Sequence, residues 1–314
     1  MRRLHILNPP YNFHPNFSNM EDIYTTSEVL SDSDLAMLTE IMDNALAEVT
    51  QNNTTAESTQ EESQENEPII PENSKTILLD EYTSRFNSAI WYDKIKTMKV
   101  ILAGVGGIGS YIGFLLSRLQ VSKLTLYDPD IVESVNISGQ LYPLHSIGGF
   151  KAEELARLLG DFSGFYNYNV RCERFTEDST AGPIMICGFD NMAARKVFFE
   201  SWKTYVLLCG RPEECLFIDG RLAAEEFQVL TIPGNDERAI KEYEEKWLFS
   251  DEEAEATVCS YKQTTFMANM IASVMVNAFV NFAANLSDPA PIIPRDIPFF
   301  ISYSADTMFT KVEM

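Results

Sequence analysis

The sequence predicts an α/β fold: a mostly parallel central sheet with a C-terminal antiparallel portion, preceded by a largely disordered acidic N-terminal arm. Three observations carry this. From Lys75 onward, short apolar strands alternate with amphipathic helices, the rhythm of right-handed crossovers and a sheet covered on both faces. A glycine-rich turn, Gly104-Val105-Gly106-Gly107-Ile108-Gly109, separates the first strand from its helix. The composition also breaks near residue 74. Residues 1–74 hold 2 basic and 14 acidic side chains, a net −12 of the chain's −22, and residues 75–314 hold 22 basic and 32 acidic, a net −10.

The arm spans residues 1–74. Residues 50–74 are rich in Asn, Gln, Thr, Ser and Glu, and bury too little apolar surface to offset the entropy of ordering. Before them, Ser33 or Asp34 caps a predicted helix over 34–49, with Leu35, Leu38, Ile41, Met42, Leu46 and Val49 on one face. That face suits docking on the chain's own domain or binding a partner. A basic-free acidic arm repels nucleic-acid phosphate and anionic lipid, so the composition excludes a general DNA coater and a polybasic membrane binder. No unbroken apolar run reaches the 18 or more residues of a membrane span. The N-terminal apolar stretch is too short for a signal peptide. Five cysteines without a Cys-x-x-Cys pair favour reduced thiols in a cytoplasmic setting, and give no zinc-ribbon spacing.

The predicted domain, 75–314, runs as follows. Strands are expected at Lys99–Ala103, Lys123–Tyr127, Asn169–Phe175, Ile184–Phe189 and Tyr205–Gly210. Helices are expected at Ile108–Leu119, Phe150–Leu159 and Asn191–Trp202. Leu216–Leu222 and Phe227–Ile232 read as an antiparallel hairpin. A charged stretch, Asn235–Glu255, leads to a long apolar helix from about Thr264 to Leu286, and Phe299–Ser302 closes as a strand.

The glycine turn marks a nucleotide site. Gly104 permits the tight turn, Gly106 and Gly107 let phosphate approach the backbone, and Gly109 lets helix pack on strand. The helix start offers free N–H groups and a partial positive charge to an anion. Asp128 ends the second strand, where a carboxylate takes ribose hydroxyls. By themselves these Rossmann-like features also fit an NAD-dependent oxidoreductase, or glycines needed only for the turn.

Further residues narrow the choice. Tyr127-Asp128-Pro129-Asp130 is followed by Asn136-Ile137-Ser138-Gly139-Gln140, then by Gly148-Gly149-Phe150-Lys151 at a helix start. Gly188-Phe189-Asp190-Asn191 then lies at a strand end, with Arg195 a turn later. From about Arg85 to Leu286 this order resembles the ThiF/HesA/MoeB superfamily of adenylating enzymes. The resemblance implies ATP and Mg²⁺ as cofactors. It implies activation of the C-terminal carboxylate of a small ubiquitin-like or sulfur-carrier protein as an acyl-adenylate. It places Lys151 on the phosphates and Asp190 on Mg²⁺. Asp130, Asn136, Gln140 and Asn191 join the nucleotide-binding set, and Asp219 and Arg221 lie along the partner's tail. It also implies a homodimer.

The sequence departs from the family pattern at two arginines. Gly139 stands at the arginine position of the Ser-Asn-Leu-x-Arg-Gln motif, and Ser88 at the second arginine of Arg-x-x-Arg-Gln-Ile. Arg85, Arg195 and Arg221 are the candidate substitutes. The family's zinc-binding cysteine pairs are absent, so no zinc is expected. Cys259 precedes the last long helix, and reads either as an activated thiolate or as an inert semi-buried cysteine. Losing the two arginines equally suits a catalytically degenerate nucleotide-binding scaffold.

Overall fold

A computed structural model describes residues 81–249 and 263–314. The chain divides into two units, Met1–Ile69 and Ile70–Met314, and every described residue belongs to the second. The acidic arm, the helix expected over 34–49 and Cys259 lie outside the described residues.

Eight strands form one sheet in the order β3-β2-β1-β4-β5-β6-β7-β8. They are β1 (Val100–Ala103), β2 (Leu124–Tyr127), β3 (Asn169–Arg171), β4 (Ile184–Cys187), β5 (Leu216–Ala223), β6 (Glu226–Pro233), β7 (Phe300–Ser304) and β8 (Phe309–Glu313). The first five pair in parallel; β5 to β8 pair antiparallel. The helices are α1 (Tyr92–Thr97), α2 (Gly107–Arg118), α3 (Lys151–Ser163), α4 (Met192–Cys209), α5 (Glu237–Lys246) and α6 (Thr265–Asn285).

Strand alternation sorts the core into two layers. Val100, Leu102, Ile184, Ile186, Leu216 and Ile218 face one apolar cluster with residues of α2, α3 and α6. Ile101, Ala103, Met185, Cys187 and Phe217 face the other, with Phe198, Phe199 and Trp202 of α4 and Tyr243 of α5. The central strands are therefore buried on both sides, which explains why they read as continuous apolar runs. Strand order reverses between β1 and β4, and ligands bind at the strand C-termini at such a switch point.

Four expectations are corrected. Tyr205–Gly210 is no strand; residues 205–209 are the last turns of α4, which ends at Gly210 in the left-handed conformation (φ 68°). An isolated apolar run does not distinguish strand from helix. Here the buried stripe Arg195, Phe198, Phe199, Trp202, Val206 continues at helical spacing, leaving Leu207 and Leu208 exposed. The third strand stops at Arg171, short of Phe175, whose ring packs on Tyr127 and Phe198 instead. The closing strand pairs with a further one, β8, whose exposed residues carry no apolar alternation to reveal it. Finally, α6 is long and apolar enough to cross a membrane, although Asn and Ser interrupt its sequence. In this fold its stripe Met267, Ile271, Met275, Phe279 and Phe282 lies in the core, against α2, β5 and β6.

Three glycines set the closest approach of the sheet to α2. Gly104 has φ 79°, and a Cβ there would lie 2.7 Å from the Gly188 carbonyl carbon. A Cβ on Gly188 would lie 2.5 Å from the Gly104 carbonyl oxygen, and one on Gly109 would overlap that same oxygen. We expect Gly109→Ala to cost about 3 kcal/mol, because rigid backbone leaves no room to relax. Gly164→Ala, with open space but φ 72°, should cost only about 1–2 kcal/mol. Urea denaturation measures both; equal costs would contradict the packing account.

Candidate functional site

The C-terminal ends of β1, β2 and β4 converge on the glycine turn. Gly106 is the N-cap of α2, so the first N–H groups of that helix open toward the turn. Asp128, buried at the end of β2, holds the turn in place. Its carboxylate accepts the Val105 N–H (2.8 Å) and the Asp130 N–H (2.9 Å). Desolvation raises the Asp128 pKa, and the Asp130 N–H, the Lys151 charge and the Val105 N–H only partly offset it. The stability linked to this group is full below the ordinary carboxylate range and is lost as pH rises through the raised value.

Lys151 is the first residue of α3. Its side chain is 10% exposed, and its Nζ meets the Asp130 carboxylate at 3.0 Å, while Asp130 is 61% exposed. The Lys151 N–H donates to the Asp130 carbonyl (2.8 Å), so backbone and side chain both fix the pair. The Tyr142 hydroxyl lies within hydrogen-bond distance of the Val105 (2.6 Å) and Lys151 (3.2 Å) carbonyls, joining turn to helix. Burial, with Asp128 and Glu154 nearby, pushes the Tyr142 pKa well up, so it stays a donor. Nothing in the sequence pattern marked Tyr142.

Two carboxamides lie over adjacent glycines. Gln140 covers Gly106: a Cβ there would sit 3.7 Å from the Gln140 Nε2. Gln263, just before α6, covers Gly107, where a Cβ would sit 2.6 Å from the Gln263 Cδ. Among the described residues, the buried Gln140 Oε1 and Thr264 Oγ1 lack hydrogen-bond partners. An open hollow of about 940 Å³ extends from here along Ser138, Thr264, Phe266, Asn269 and Met270. A glycine cradle, a helix N-terminus, one nearby cation and unpaired polar atoms suit a nucleotide's phosphates.

Other expected site residues have different occupations. Asn136 Oδ1 accepts the Glu133 N–H (2.9 Å) and closes a short 3₁₀ turn, leaving only its amide N–H groups for a ligand. Asn191 caps α4 through the Ala194 N–H (2.8 Å). Asp190 is exposed at the end of β4 and accepts the Asn191 amide (3.1 Å). It is thus accessible to a hydrated Mg²⁺, but no group of three or more His, Cys, Asp or Glu able to hold a metal occurs among the described residues. One carboxylate with phosphate oxygens and waters is an ordinary Mg²⁺ set, so the residues fit the ion.

The expected substitutes for the missing arginines are corrected. Arg195 is buried and bonds Asp219, the Phe189 carbonyl (2.6 Å) and the Gly220 carbonyl (3.2 Å), so its two terminal guanidinium nitrogens serve the scaffold. Asp219, expected along a partner's tail, is 0% exposed and also accepts Arg221 Nε (2.9 Å) and the Tyr243 hydroxyl (2.9 Å). Arg221 continues to the Trp247 carbonyl (2.7 Å) and lies over the Trp247 and Phe249 rings. Arg85 is exposed, three residues after Tyr82, whose hydroxyl donates to the Phe162 carbonyl. That carbonyl lies near the C-terminus of α3, and Arg118, the last residue of α2, donates to it as well. Those helix ends lie at the opposite end of the sheet from the glycine turn.

The profile of the ThiF family matches residues 78–304, and the chain belongs to that family. Among curated relatives, ubiquitin-like modifier-activating enzyme 5 of Bombyx mori is 29% identical over 33% of this chain and 30% of its own length. The protein of the same name from Drosophila persimilis is 35% identical over 34% of this chain and 26% of its own. The matches thus span about a third or less of those relatives. Among solved structures, PaaA superposes with a TM-score of 0.56 at 14% identity, covering 91% of this chain and 83% of that one. Escherichia coli MccB with ATP gives a TM-score of 0.51 at 16% identity, covering 76% and 70%. These likenesses show the α/β fold. The family supports adenylyltransferase-type chemistry at a general level.

Removing the Asp219 carboxylate would strand the buried Arg195 charge. We expect Asp219→Ala to lose about 3–5 kcal/mol of stability. Asp190→Ala, at an exposed position, should change it by less than about 0.5 kcal/mol. Chemical denaturation decides; comparable small losses at both would show that the buried cluster is not structural.

Proposed function

We propose that the chain is an ATP-dependent adenylyltransferase. It activates the C-terminal carboxylate of a small ubiquitin-like or sulfur-carrier protein as an acyl-adenylate, in the cytoplasm and as a homodimer. The observation that supports this best is the convergence of Asp128, Lys151 and the Gly104–Gly109 turn on one strand edge beside the switch point. The triphosphate lies along the turn and the start of α2. Lys151 turns from Asp130 toward phosphate and neutralises charge. Asp128 accepts ribose hydroxyls through lone pairs left free by its two N–H bonds. Asp190 would hold Mg²⁺, which would add charge neutralisation on the phosphates. The partner's carboxylate oxygen forms a bond to the α-phosphorus, and the bond from that phosphorus to pyrophosphate breaks. Alignment and charge neutralisation at that centre are the enzyme's contribution.

One observation favours a second reading. Arg195 and Arg221 are committed to Asp219, so neither replaces the two family arginines, and among the described residues Lys151 is the cation paired beside Asp128. A site without those two arginines suits a nucleotide-binding scaffold without catalysis. In a homodimer, Arg85 of one copy reaching the other's site would restore a cation.

ATP with Mg²⁺ should raise the melting temperature, and NAD should not. Pyrophosphate exchange should depend on a cognate small protein. Lys151→Ala should reduce the exchange rate on the order of 10²–10³-fold. ATP binding without exchange with any cognate protein would select the scaffold, and stabilisation by NAD alone would overturn both readings.

A further inference from the structure

Gly139 and Gln263 form a matched pair at the mouth of the glycine turn. A Cβ on Gly139 would lie 2.9 Å from the Gln263 Nε2 and 3.3 Å from its Cγ. The space beside position 139 is thus taken up by the flexible end of the Gln263 side chain, which a side chain there would have to displace. Gln263 enters from the other end of the sequence. A bridge to Ala224 fixes its backbone beside the β5–β6 hairpin. Thr265, at the start of α6, donates its hydroxyl to the Ser138 carbonyl, so the 136–141 segment and the α6 start are joined on both sides of the pair. Among the described residues the Gln263 amide makes one long hydrogen bond, Nε2 to the Gly139 carbonyl at 3.4 Å, and its second N–H meets no partner there. The same carboxamide packs against Gly107, the first residue of α2. Beside it, Thr264 Oγ1 is buried without a partner among the described residues.

We propose that Gln263, supported by Thr264, is a phosphate-binding residue of this site, admitted by Gly139 and supplying a neutral amide donor to the nucleotide's phosphates where the family motif carries a cation. The inference rests on the adenylation reading given above. Its physical basis is the position of an under-used donor and an unpartnered hydroxyl over the N-terminus of α2, where anions are favoured. A neutral donor attracts phosphate over a shorter range than a cation does. Binding should accordingly be weaker and less salt-dependent than arginine would make it.

The test uses the full chain, with ATP and adenosine as the two probes in Mg²⁺ buffer, read by calorimetry. Gln263→Ala should weaken ATP about tenfold, the loss of one hydrogen bond to a charged group, and leave adenosine unchanged. Gln263→Glu, nearly isosteric, should weaken ATP further by charge repulsion and again spare adenosine. Gly139→Arg alone should weaken ATP through collision with Gln263, and adding Gln263→Ala should restore at least the original affinity. Equal losses for ATP and adenosine would reduce Gln263 to a structural role and overturn the proposal. Unchanged ATP affinity in Gln263→Ala, or tighter ATP in Gly139→Arg alone, would also overturn it. If the unaltered chain binds no ATP, the adenylation reading fails and this inference falls with it. If that chain binds ATP and the substitutions have no effect, only the inference fails.

Discussion

The contact of three backbones at Gly104, Gly109 and Gly188 constrains everything else at this sheet edge. None of the three positions accepts a Cβ without displacing main chain. The β1 turn, the first turn of α2 and the end of β4 are therefore locked together at the point where strand order reverses. That lock places helix N–H groups, the end of β4 with Asp190, and the end of β2 with Asp128 around one opening. Protein interiors transmit small displacements rather than absorbing them, so the cradle is only as well defined as this contact.

Two buried carboxylates divide the remaining work. Asp128 pins the turn through backbone N–H groups and stays near the opening. Asp219 lies deeper, and gathers Arg195, Arg221 and Tyr243 so that α4, β5 and α5 are tied together. Burial raises the Tyr243 pKa, with the Cys187 thiol adding to it, so the phenol remains a donor to Asp219. A consequence is electrostatic. Arg195 and Arg221 stabilise the fold, and the glycine turn keeps Lys151 and two neutral carboxamides beside it. The bulk charge of −22 is little guide to this edge, since −12 of it sits in residues 1–74.

Much of the fold was legible in the sequence because its signals were local. The glycine spacing, the apolar strands and the α6 stripe each depend on near neighbours. What differed turned either on local ambiguity or on partners far along the chain. Residues 205–209 looked like a strand until Val206 joined the buried stripe of α4. Asp219 and Arg221 are expected along a partner's tail because nothing in Asp-Gly-Arg announces that Arg195 and Tyr243 will close over the aspartate. Asparagine is equally a cap, and the Asn136 and Asn191 side chains both cap locally, so their place in the nucleotide-binding set rests on the family resemblance. Gln263 was missed outright. Its signal was the glycine at 139, a vacancy that reads as a loss until its occupant is seen 124 residues away.

The account is tested most directly by a crystal structure of the full chain with ATP and Mg²⁺. It predicts phosphates along Gly104–Gly107 and the start of α2, ribose hydroxyls on Asp128, and Lys151 released from Asp130 onto phosphate. A nucleotide bound elsewhere, or a Lys151–Asp130 pair unchanged with ATP in place, would contradict it.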